Sequence, residues 1–172
     1  PPITSMMFEE IFQNRAFSST ASSRISKCRK TRSSLSEPEK TFVFIDIFES
    51  EINNEGLYGF FYNTSGEFSH EVLQAFTAIN ANESSSILDK ALRLFPELPV
   101  PKDIILRRQV MGKLKIEDLE RWSNLELDLV NSKEDIVGLV PSYTTVTASN
   151  PNIVTSFPRS SIAANPNLFS PS

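Results

Sequence analysis

Ser36-Glu37-Pro38-Glu39 opens the segment that most restricts what the rest of the chain can do. Ser36 stands at a cap position, Glu39 completes a capping box, and Pro38 falls in the first turn, where no N–H is needed. Behind them Phe42, Ile45, Phe48 and Ile52 recur at helical spacing, with Asp46, Glu49 and Glu51 largely off that line. Val43, Phe44 and Ile47 widen the apolar stripe. A helix that is apolar on more than one side has to be surrounded. This one is expected at the centre of a bundle.

The following chain reads as the surrounding helices. The first helix is expected to end near Asn53-Asn54, because Gly56 accepts the left-handed geometry common after a helix. A short aromatic helix, Leu57-Tyr58-Gly59-Phe60-Phe61-Tyr62, comes next, closed by the turn signal Asn63-Thr64-Ser65-Gly66. Ser69 is read as the cap of a second main helix carrying Val72, Leu73, Phe76 and Ile79, which Asn80-Ala81-Asn82 interrupts. A third helix carries Ile87, Leu88, Ala91, Leu92 and Phe95. Pro96, Pro99 and Pro101 form a stiff connection, and Pro101 is read as the first residue of a fourth helix reaching Leu114, with Ile105, Leu106 and Val110 apolar. The last helix, from Glu117 to Gly138, uses Leu119, Trp122, Leu125, Leu129 and Ile136, and Pro141 stops it. No window alternates with period two for long enough to demand a strand. The expected fold class is therefore all-α, a compact bundle of about five helices plus the short aromatic one.

Charge divides the chain into three parts that the net −4 conceals. Residues 1–34 hold six basic side chains (Arg15, Arg24, Lys27, Arg29, Lys30, Arg32) against Glu9 and Glu10, and are rich in Ser and Thr. Residues 35–140 hold 10 basic and 19 acidic side chains, a local net of −9. Residues 141–172 carry Arg159 as their one charge, among 20 Ser, Thr, Asn or Pro in 32 positions. Such ends cannot repay their ordering entropy, so both are expected to be disordered around a folded 35–140. The Arg/Ser-rich head also has the look of an organellar transit peptide. Without that role the expected location is cytoplasmic.

These counts also exclude chemistry. One Cys rules out an internal disulfide framework and a Cys-rich zinc site, and one His leaves no His-rich metal centre. No apolar run approaches the roughly 18 residues of a membrane span, and the acidic balance speaks against direct nucleic-acid binding. His70, beside Glu71 and near Glu67, is the material for an acid–base pair, but a polar surface residue is the ordinary expectation in a first helical turn. Cys28 lies among cations that lower a thiol pKa, and Trp122 is expected in the core. No catalytic residue, metal site or cofactor is expected.

The stretch from Glu51 to Glu67, with its acidic helix end, Asn53-Asn54, Gly56, the aromatic pair Phe60-Phe61, Asn63 and Ser65-Gly66-Glu67, resembles the bacterial DNA-mimic protein 19 family. The resemblance continues through Val72-Leu73-Gln74-Ala75-Phe76, Ile79-Asn80-Ala81, Ala91-Leu92-Arg93-Leu94-Phe95-Pro96 and Pro101-Lys102-Asp103, to Leu119-Glu120-Arg121-Trp122. It implies an all-helical, non-catalytic protein whose acidic side chains imitate duplex phosphates and bind a helix-turn-helix regulator. Two positions depart from the family pattern. Glu55 replaces the family's first glycine, and Gly59 stands where a larger polar residue is usual.

Two function classes follow. The first is a protein-interaction domain whose acidic surface, carried by Asp46, Glu49, Glu51, Glu55, Glu67 and Glu71, binds a basic partner: a helix-turn-helix regulator or a toxin that it neutralises. No Lys or Arg occurs between Lys40 and Lys90. A second copy of the chain, as a homodimer, is a further partner. The second class is a small-molecule site at the corner of Asn53, Asn54 and Glu67. The bland reading of that motif is a folding corner, with the asparagines capping the helix and Phe60-Phe61 bolting the reversal to the core. The uncharged tail and the basic head both weaken mimicry, the head because it can screen an acidic face.

Overall fold

A computed structural model of the chain describes Arg29, residues 35–136, 138–140 and Tyr143. The expected disorder of both ends, the transit-peptide reading, Cys28 and Pro141 lie outside the described residues. Within them the fold is all-α: α1 (Glu37–Tyr62), a 3-10 turn (Thr64–Phe68), α2 (Ser69–Ala78), α3 (Asn82–Leu92), α4 (Ile104–Met111) and α5 (Ile116–Asn131). No described residue is in a strand.

α1 begins where its capping signal stands, with the Ser36 N–H donating to Glu39 Oε2 at 2.7 Å. It is the central helix and packs against the 3-10 turn, α2, α4 and α5, whereas α3 is held by α2 and α5. Phe44, Ile45, Ile47 and Phe48 are buried before its bend, and Leu57, Phe60 and Phe61 after it. Phe48 meets Phe60 edge-on at 4.8 Å and Phe76 at 5.3 Å. Phe61 stacks on Trp122 of α5 at 5.0 Å and 20°. Each such ring contributes on the order of 1.5–3 kcal/mol of burial, which ties both limbs of α1 to one core.

α1 is interrupted just after Asn53-Asn54 as expected: Gly56 (φ 69°, ψ −173°) leaves helical geometry, and the aromatic helix follows as α1's second limb. The structure departs from the sequence expectations at three element ends. Ser69 is not a cap. Its backbone is already helical (φ −54°, ψ −39°) because the 3-10 turn runs straight into α2, whereas a cap needs an extended residue. α4 starts at Ile104, not Pro101, because the Asp103 side chain accepts from the Leu106 N–H at 2.8 Å and fixes the start there. α5 stops at Asn131, before any proline. Chain beyond it is drawn away to α3, where Glu134 accepts from the N–H groups of Glu83 (3.0 Å) and Ser84 (2.9 Å).

Among the described residues no helix is long and apolar enough to cross a membrane.

Candidate functional site

Two reversals of the chain define the motif corner, and each is a glycine met by a charged side chain from far along the sequence. At the first, restarting the helix after Gly56 leaves N–H groups without partners in their own turn. Leu57 donates its N–H to Glu126 Oε2 of α5 at 2.7 Å. A Cβ on Gly56 would lie 2.5 Å from that same oxygen, so the glycine serves both the positive φ and the close approach of the carboxylate.

The two departures from the family pattern are explained here together. Among non-glycine residues of the described chain, Asn80 has a positive φ, and Glu55 does not, so the glutamate costs no backbone strain. Its Cβ instead occupies the space that a Cβ on Gly59 would need. A side chain at residue 55 and none at residue 59 are complementary packing choices.

At the second reversal α1 ends without a basic residue in its last turn. Carbonyls at a helix C-terminus favour a cation, and Arg107 of α4 supplies it. Its side chain is 0 % exposed and donates to four carbonyl oxygens: Phe61 (2.6 Å), Asn63 (2.6 Å), Pro101 (2.8 Å) and Lys102 (2.9 Å). Burial pushes the guanidinium pKa down, while the nearby Glu67 carboxylate pushes it up. A Cβ on Gly66 would stand 2.7 Å from both Arg107 Nε and the Phe61 oxygen, so Gly66 is what lets the arginine in. Ser65 Oγ donates to the Phe60 carbonyl at 3.1 Å, and Arg108 Nε donates to that of Tyr62 at 2.9 Å.

Arg107 was not legible in the apolar pattern. Ile105 and Leu106, read as core positions, are exposed, and α4 instead turns Arg107 and Met111 inward. The helix is rotated because four carbonyls demand the guanidinium. The one signal in the sequence was negative: a helix ending at Tyr62 with no Lys, Arg or His to complement it.

The candidate carboxylates divide by surroundings. Glu51 is 4 % exposed and accepts from Asn63 Nδ2 at 3.2 Å, so it is an internal strut of the corner and not part of a surface. Asp46 and Glu49 are half-buried on α1, and Glu55 is exposed at its bend. Glu67 receives Arg29, with Nε to Oε1 at 2.7 Å and Nη2 to Oε2 at 2.5 Å. Glu71 is paired with Lys102. Asn53 and Asn54 are exposed, and Asn54 Nδ2 donates back to the Ser50 carbonyl at 2.6 Å. No hydrogen bond joins either asparagine to Glu67 among the described residues.

The remaining residues singled out for chemistry have structural partners. Trp122 donates its indole N–H to the Ala91 carbonyl at 2.9 Å, inside the core. His70 is half-buried, unlike the surface residue expected, and its Nε2 accepts the Val100 N–H at 2.9 Å. Burial lowers its pKa, Glu71 opposing and Lys102 adding to the effect, so the ring is the neutral acceptor that Val100 requires. Among the described residues no three His, Cys, Asp or Glu side chains gather as a metal ion would need.

Comparison with curated proteins and with solved structures finds no match. The sequence model of the family described as DMP19-like protein matches residues 33–145, which takes in the corner, its Glu126 and Arg107 clamps and every described helix. By that match over more than half its length, the chain belongs to the DMP19-like protein family.

Proposed function

We propose that the domain is a non-catalytic binding module that offers carboxylates to a basic protein, in the manner of a DNA mimic occupying the DNA-binding face of a helix-turn-helix regulator. The observation that carries this reading is the stretch from Asp46 to Glu83, which holds six carboxylates besides the buried Glu51 and no Lys or Arg. It forms the larger part of α1, the 3-10 turn and α2. Two cations that pair with its carboxylates, Arg29 with Glu67 and Lys102 with Glu71, come from elsewhere in the chain. Asp46, Glu49 and Glu55 place three negative charges along one helix, with Glu67 beyond the bend. Family membership supports the same reading.

Attraction between such surfaces and a basic partner is screened by salt. The test is displacement of a labelled duplex from a helix-turn-helix DNA-binding domain, followed by fluorescence anisotropy with the full chain as competitor. Displacement at about 0.05 M salt, lost at about 0.5 M, is expected. The Glu49→Lys/Glu55→Lys double variant should compete about tenfold more weakly. Competition indifferent to both salt and charge reversal would remove the reading.

A further inference from the structure

Arg29 meets Glu67 with both ends of its guanidinium fork, at 2.7 and 2.5 Å, across 38 positions of sequence. Paired N–H donors on one carboxylate are how an arginine of an incoming basic protein would grip the same group. The Glu67 side chain keeps 19 % of its area exposed and that of Arg29 50 %, so the pair lies at the surface, where a competitor can reach it. Arg29 does not stand alone in the sequence: Lys27, Lys30 and Arg32 flank it, while the stretch it contacts has no cation of its own. The buried Arg107 places a second positive charge near Glu67.

We propose that the basic head, through Arg29, is an internal competitor for the acidic surface: Arg29 occupies Glu67, and a basic partner binds by displacing it. This rests on the acidic-surface reading above and adds its regulation. Occupation by the head lowers the apparent affinity for the partner in proportion to the fraction of molecules in which it is docked. An exposed ion pair is weak and screened by salt, so the brake is modest and reversible.

The single cysteine, Cys28, adjoins Arg29 and allows the full chain to carry one nitroxide label. Amide signals of Glu67, Phe68 and Ser69 should be broadened by the label, and Arg29→Glu or about 0.5 M salt should restore them. An arginine-rich peptide, titrated separately, should bind the Arg29→Glu chain about threefold more tightly than the wild type. No broadening in the wild type, or broadening that survives both treatments, would overturn the docking; unchanged peptide affinity would overturn the competition. Docking with no peptide binding even to the Arg29→Glu chain would instead remove the acidic-surface reading, and the competitor role with it.

Discussion

The two reversals of the corner use opposite charges for one physical reason. After Gly56 the chain starts a helix and exposes N–H groups, and a carboxylate, Glu126, comes to them. After Tyr62 the chain ends a helix and exposes carbonyls, and a guanidinium, Arg107, comes to those. Helix starts attract anions and helix ends attract cations. The two clamps differ in depth. Glu126 is half-buried and makes one such bond, whereas Arg107 is sealed in and serves four carbonyls from two separate segments. One caps a local restart; the other holds the α1 end and the start of α4 together.

Arg107→Met is accordingly expected to do the most damage. It leaves buried carbonyls without donors, at a cost of about 3–5 kcal/mol read by urea denaturation of the full chain. Arg107→Lys keeps the charge but not the planar fork, and should recover only part of that loss. A cost within experimental error of zero for the methionine variant would show that the clamp is dispensable.

The glycines separate the two corners more finely. Gly66→Ala presses a methyl against a buried guanidinium and the Phe61 carbonyl, neither free to move, and should cost about 2–3 kcal/mol. Gly56→Ala meets only the far end of the Glu126 side chain, which can swing away, leaving the positive φ as the main penalty, about 1–2 kcal/mol. The order of the two melting-temperature losses is the measurement. A larger loss at Gly56 would mean that backbone geometry, and not the arginine, dominates this corner.

A third helix start gives the smallest expected effect and asks whether the carboxylate rule is general. Glu134 caps α3, and although burial works to raise its pKa, the hydrogen bonds from Ser84 and Glu83 outweigh that and leave it lowered. A carboxylate with a folded pKa below its ordinary 4.5 contributes stability above that pH and loses it as pH falls through the folded value. Glu134→Gln should therefore lower stability near neutrality, with the difference from the wild type shrinking as pH falls below about 4.5. His70, whose pKa burial lowers from 6.5, is held neutral by the fold and loses its contribution as pH falls below 6.5, before Glu134 does. The two limbs of an acid titration of stability should separate in that order.

Much of this fold was readable in the chain, and the parts that were not share a cause. Phe42 to Ile52 announced a central helix, Gly56 announced its interruption, and Trp122 announced itself as core; burial period and backbone permission are local properties. Arg107 was invisible because a buried cation breaks the apolar period, and half of its reason lies in the carbonyls of Phe61 and Asn63, 46 and 44 positions earlier. Glu51, counted among surface carboxylates, turned inward because Asn63 of the following turn waits for it. The end of α5 at Asn131 was hidden for the same reason, since Glu134 is recruited by α3 and not by its own helix.

The sequence by itself determined the helical class, the division of charge and the family, because periodicity, composition and motif spacing are written along the chain. Only the tertiary structure decided which charges face water. Unpaired N–H and C=O groups at helix ends draw in carboxylates and guanidiniums from any distance in sequence. That selection put Glu51, Glu126 and Arg107 to structural use, and kept Glu55 exposed at the bend of α1.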